Sequence, residues 1–121
     1  MRPDHISPQS RLTALAAQCR CKAESEGLAS YMNDTKWREL CYVFSSFETK
    51  PRWRARDLLT GFLSEWDHDW FHHVGPDYCS IEWLEIDSTG CDRESVRAVL
   101  RGVGAPYEGS EPFFRVIGYK Q

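Results

Sequence analysis

The stretch Glu65–His73, EWDHDWFHH, gathers three acids, three histidines, two tryptophans and a phenylalanine without a gap. His68 and His72 stand four apart, so on a helix they share a face. With His73 and either Asp67 or Asp69 they supply the imidazole and carboxylate donors that a divalent metal takes. The spacing H-D-W-F-H lacks the glutamate of the H-E-x-x-H motif, and Asp-His-Asp is not the ligand pattern of an EF-hand loop. Glu65 with Asp67 or Asp69 could act as acid and base only if the fold set them across a substrate. A second reading needs no ligand. Trp66, Trp70 and Phe71 frame the polar Asp67-His68-Asp69 as in two strands joined by a turn, and Gly75-Pro76-Asp77 supplies the next turn. The expectation is this hairpin, with Trp70 and His72 facing one way and Phe71 and His73 the other. Trp70 and Phe71 are then core or interface anchors. His68, His72 and His73 remain the ligand or metal candidates, and otherwise no cofactor is expected.

A second cluster is Lys50, Arg52, Arg54 and Arg56, with Trp53 among them. A basic strand beside a tryptophan can track phosphates or stack a base, which makes these four the nucleic-acid candidates. The competing expectation is an edge strand protected by its charges, or one paired internally with the acidic half of the chain. Cysteine catalysis needs a positioned base that the sequence does not locate, so Cys79 is expected to be a core or strand-end thiol. Gly102, Gly104 and Gly109 lack the strand-loop-helix setting and Lys-Ser/Thr ending of a phosphate loop.

The elements that must position these groups follow from periodicity. Ser7 and Pro8 open a helix that places Leu12, Leu15, Ala16 and Cys19 on one face and ends before Gly27. Asn33 or Asp34 caps a second helix, with Trp37, Leu40, Cys41 and Phe44 at helical spacing, stopping before Pro51. The alternation in RWRARD predicts an edge strand, although these residues could instead open a short helix. CSIEWLEID, apolar on both faces, predicts a central strand. Thr89 and Asp92 stand as a capping box before a third helix carrying Val96, Val99, Leu100 and Val103, ended by Gly102 or Gly104. An exposed loop, GAPYEGSEP, precedes a closing strand from Phe113 to Tyr119. The order predicts an α+β fold, a small and mostly antiparallel sheet packed against two or three helices. Residues 1–30 are read as a helical N-terminal extension and 31–121 as a single α+β domain.

Composition bounds the rest. The 121 residues are 41% hydrophobic and 13% aromatic, enough for one domain with a real core. The net charge is −3, with no overall pull toward nucleic acid or anionic membrane. It is unevenly placed: residues 1–60 hold 10 Lys/Arg against 7 Asp/Glu, and residues 61–121 hold 5 against 11. Five cysteines without C-x-x-C spacing, and no apolar run of membrane length, predict a reduced cytoplasmic protein.

Taken together, KWRELCYVF, PRWRARDL, SEWDHDWFHH and SIEWLEID resemble an uncharacterised family of small bacterial proteins, a domain of unknown function, over residues 32–120. The resemblance marks Trp37, Arg54, Trp70, His72 and Trp83 as family-pattern residues; it implies a shared fold and no particular reaction. With no recognised catalytic set, the expectation is a non-enzymatic protein-binding protein, an immunity-type or regulatory partner of another bacterial protein. Asp67, Asp69, Trp70, Asp77, Glu82, Glu85 and Asp87 are its candidate contacts, suited to the basic cleft of a toxin acting on nucleic acid. The alternatives are a small metal-dependent enzyme or ligand-binding domain at the histidines, and nucleic-acid binding through Lys50 to Arg56.

Overall fold

The computed structural model describes residues 8–121. Ser7, the expected first cap, lies outside them. Helix α1 (Pro8–Glu26) ends where Gly27 turns to a left-handed φ of 66°, and Leu28 N–H donates back to the Ala23 carbonyl. Strand β1 (Ala29–Ser30) follows, and then helix α2 (Asp34–Ser45). Asn33 caps α2, its side-chain oxygen accepting from Lys36 N–H at 2.8 Å, while Asp34 adds negative charge at the positive end of the helix. Strand β2 (Arg52–Asp57) is followed by an irregular stretch to the 3₁₀ turn Tyr78–Ser80, which leads into β3 (Ile81–Asp87). Helix α3 (Arg93–Val103) stops at Gly104, with φ 77°, and strands β4 (Tyr107–Glu108), β5 (Phe113–Ile117) and β6 (Tyr119–Lys120) close the chain.

The architecture is α+β, as expected. Four strands in the order β2-β3-β5-β4, all antiparallel, form the main sheet, and β1 pairs with β6 in a separate two-stranded ribbon. The apolar β3 is interior and the arginine strand β2 is an edge. Side chains alternate across the pleat. One face carries Trp53, Leu84, Ile86, Phe114 and Val116, which join Trp37, Leu40, Cys41 and Phe44 of α2 and Val96 and Leu100 of α3 in the core. Leu40, Leu84, Ile86 and Leu100 are fully buried, each stabilising the fold by about 1.5–3 kcal/mol relative to exposure. Helix α1 packs against the 3₁₀ turn, burying Cys19 and Ala23. Among the described residues no helix is long and apolar enough to cross a membrane.

Several expectations are corrected. No hairpin forms over residues 66–73: Trp70 to His72 are a turn and His73 a bend, and the stretch pairs with β2 at a single isolated bridge, Trp53 to Asp67, with a second bridge joining Leu63 to Arg56. Thr89 takes no part in capping α3. Asp92 alone accepts from Glu94 N–H and Ser95 Oγ–H, while Thr89 N–H donates to Asp87. The loop before β5 is not wholly exposed, because Ala105 is in the core and Tyr107–Glu108 pair with β5. The closing strand breaks at Gly118, where the chain passes so near β3 that Gly118 N–H donates to the Glu82 carbonyl at 2.9 Å.

Candidate functional site

Residues 62–69 run along the outer edge of β2 as a strap. Asp57 N–H donates to the Phe62 carbonyl, and Asp67 exchanges both backbone hydrogen bonds with Trp53 at 2.8 Å. The short carboxylates then bend the chain. Asp67 Oδ1 accepts from Asp69 N–H, and Asp69 Oδ1 accepts from the N–H groups of Phe71 and His72. These are Asx turns, and they occupy the donors that a second strand would need.

The turns bring two imidazoles to two carboxylates. His73 Nδ1 lies 2.7 Å from Asp67 Oδ2 and its Nε2 lies 3.7 Å from Asp69 Oδ2; His72 Nδ1 lies 3.3 Å from the same Asp69 oxygen. The Asp67 hydrogen bond and charge raise the pKa of His73 above its ordinary value. Desolvation pushes Asp67 up, but the Asp69 N–H and the His73 imidazole outweigh it and the net shift is downward. Asp69 is lowered chiefly by the His72 N–H. His68 is exposed. Each of the two bonded imidazoles is thus turned to a carboxylate, and among the described residues no group of three or more His, Cys, Asp or Glu side chains is arranged to hold a metal ion.

Trp70 faces inward. It is 1% exposed, its ring centroid is 4.6 Å from that of Phe44, and its Nε1–H donates to the Pro51 carbonyl at 2.8 Å. It is therefore a core residue, not a surface contact, while neighbouring Phe71 is exposed and stacks edge-on against His72.

The arginine row and the acidic half meet on the other face of the sheet. Antiparallel register sets Arg52 opposite Asp87, and sets Arg54 opposite Glu85, itself opposite Arg115. Glu85, 12% exposed, joins two arginines: Oε1 accepts from Arg54 Nε at 2.8 Å and Oε2 from Arg115 Nη2 at 3.0 Å. Asp87, 4% exposed, pairs with Arg52, and Glu82 pairs with Arg56 at 3.1 Å. Burial raises the Asp87 carboxyl, but Arg52 and Thr89 more than reverse this and leave it below the usual value. The guanidiniums held in this way lie against aromatic rings. Arg115 sits 3.9 Å from the Trp83 ring centroid, and Arg52 and Arg54 sit 5.0 and 4.7 Å from that of Trp66, which the strap folds onto this face. Phe113, 44% exposed, packs beside Trp66.

The candidate residues therefore separate. Glu82, Glu85 and Asp87 are paired with arginines of the same sheet, Asp67 and Asp69 are held by histidines and backbone, Asp77 is exposed, and Trp70 is in the core. Lys50 donates to the Phe47 carbonyl. Arg115, Trp66 and Phe113 were not among the sequence candidates. The alternation FFRVI put Arg115 on the face opposite Phe114 and Val116, but its meeting with Glu85 depends on strand order.

Residues 19–121 match a protein family described as a family of unknown function (DUF6678). Neither a curated protein nor a solved structure matches the chain.

Proposed function

Because the chain belongs to DUF6678, a family whose description fixes no activity, we propose its role from the surface it builds: a non-enzymatic protein-binding protein, an immunity-type or regulatory partner of another protein. One observation carries this reading. The sheet face opposite the core presents Trp66, Trp83 and Phe113 beside arginines whose guanidiniums are fixed by β3 carboxylates and by the rings themselves. Tryptophan and arginine are the residues that most often dominate protein interfaces, and a pre-ordered side chain loses less entropy on association. The carboxylates largely neutralise the arginines, so the partner suited to this face is a polar protein surface with an apolar centre. Of the candidate acids, a strongly basic cleft would meet exposed Asp77 and the His-bonded Asp67 and Asp69.

The test uses the full chain as an immobilised bait in lysate from cells that naturally produce it. One defined protein is expected to be retained by wild type, lost at least tenfold with Trp83→Ala and Arg115→Ala, and kept with Tyr42→Ala on the exposed face of α2. Equal retention by the sheet-face variants, or catalytic turnover by the isolated chain, overturns the reading.

A further inference from the structure

Among the described residues, the ion pairs of the outer sheet face leave one positive charge over. Arg52 and Arg56 each have a carboxylate to themselves, Asp87 and Glu82, and Glu108, opposite Arg115 across β4 and β5, is matched by Lys120 at 2.8 Å. Arg54 and Arg115, in contrast, divide the single carboxylate of Glu85. Depth favours the cations. The Glu85 side chain is 12% exposed against 33% for Arg54 and 37% for Arg115, so an approaching molecule meets guanidinium first. The bonds to Glu85 run from Arg54 Nε and Arg115 Nη2, and each guanidinium carries five N–H donors in a rigid fork, so most donors of the pair remain for a second acceptor. Contact with Trp66 and Trp83 holds both forks in place before anything binds.

We propose that Arg54 and Arg115 form a carboxylate-recognition site, and that the partner of the sheet face presents one Asp or Glu side chain beside an aromatic or large aliphatic one. The inference rests on the protein-binding reading above and gives the partner its chemistry. A carboxylate takes two parallel N–H bonds from a guanidinium fork. Its apolar neighbour covers Trp66, Trp83 and Phe113, and the water displaced from these rings leaves the ion pair in a less polar, less screened setting. One surplus charge matches one carboxylate. A run of nucleic-acid phosphates brings a negative charge with every nucleotide, and beyond the first it would meet arginines already answered by Asp87 and Glu82.

The experiment displays a library of short random peptides to the immobilised full chain and measures the enriched peptides, labelled with fluorescein, by anisotropy. Enriched sequences are expected to carry an Asp or Glu next to an aromatic or large aliphatic residue. Converting that acid to its amide should weaken binding about tenfold, an effect no folding defect of the protein can imitate. Arg115→Gln should also weaken it about tenfold, whereas Glu85→Gln, which removes the competing carboxylate, should tighten it about threefold. Trp83→Ala separates the site from the interface it belongs to. Peptides lost with Trp83→Ala but retained by Arg115→Gln, or enriched without an acid, overturn carboxylate recognition and leave the protein interface standing. Enrichment of no peptide, or only of peptides indifferent to both variants, overturns it too, and retention of a protein from lysate then bears on the interface alone. A single-stranded DNA probe that binds more tightly than the peptides and is weakened by Arg115→Gln assigns the arginines to phosphate and overturns the proposal.

Discussion

His73 is an ionisable side chain held by two carboxylates, Asp67 and Asp69. Its native pKa lies above the ordinary 6.5, because Asp67 and then Asp69 favour the imidazolium. The stabilisation is therefore complete below 6.5 and is lost as pH rises through the elevated native value. Asp67 runs the other way: its pKa is depressed, so its contribution is present above 3.8 and is lost as pH falls through the lower native value. Chemical denaturation across pH is expected to show wild-type stability falling from pH 6.5 upward relative to His73→Gln; parallel curves would refute the pairing. At Trp70 the magnitude is larger. Trp70→Ala is expected to cost about 3–5 kcal/mol in urea unfolding. Trp70→Phe keeps an aromatic against Phe44 but leaves the Pro51 carbonyl without its donor, a cost of about 1–3 kcal/mol. The sequence marked the chemical capacity of residues 65–73 but not its use, because whether Asp69 bonds a metal, a histidine or its own backbone is decided by turns that leave no periodic trace.

Elements with a long repeat were legible and those made by local bonding were not. Trp37, Leu40, Cys41 and Phe44 identify α2, and Val96 and Leu100 identify α3, since each set is one buried helical face. The expected hairpin failed because its alternation was accidental: Asp67 and Asp69 bind the N–H groups that strand pairing requires. Two glycines give opposite predictions at this scale. A Cβ on Gly118 would lie 2.2 Å from the Ile81 carbonyl oxygen, so Gly118→Ala is expected to cost at least about 3 kcal/mol or prevent folding. Nothing lies within 4 Å of a Cβ on Gly102 in α3, and Gly102→Ala is expected to stabilise by about 0.5–1 kcal/mol through helix propensity. Thermal unfolding of the two variants checks both signs.

For the molecule as a whole, the positive excess of the first half is offset on folding by acids of the second, because β2 lies antiparallel beside β3 and its arginines find Glu82, Glu85 and Asp87. The sequence showed the imbalance, but the register that resolves it spans some thirty residues and is set only when the strands dock. It follows that an anionic single-stranded DNA probe should show little salt-sensitive affinity for wild type, and that Glu85→Gln, which frees Arg54 and Arg115, should tighten it in fluorescence anisotropy. An equally tight wild type would show that the carboxylates do not mask the arginines. The strap over β2 has a consequence of another kind. Its bridges at Leu63 and Asp67 occupy backbone groups that an edge strand leaves open, and the opposite edge, β4, is only two residues long. A sheet closed off in this way offers a poor template for strand-by-strand polymerisation, so concentrated solutions of the folded chain should resist fibril growth until that strap is peeled away.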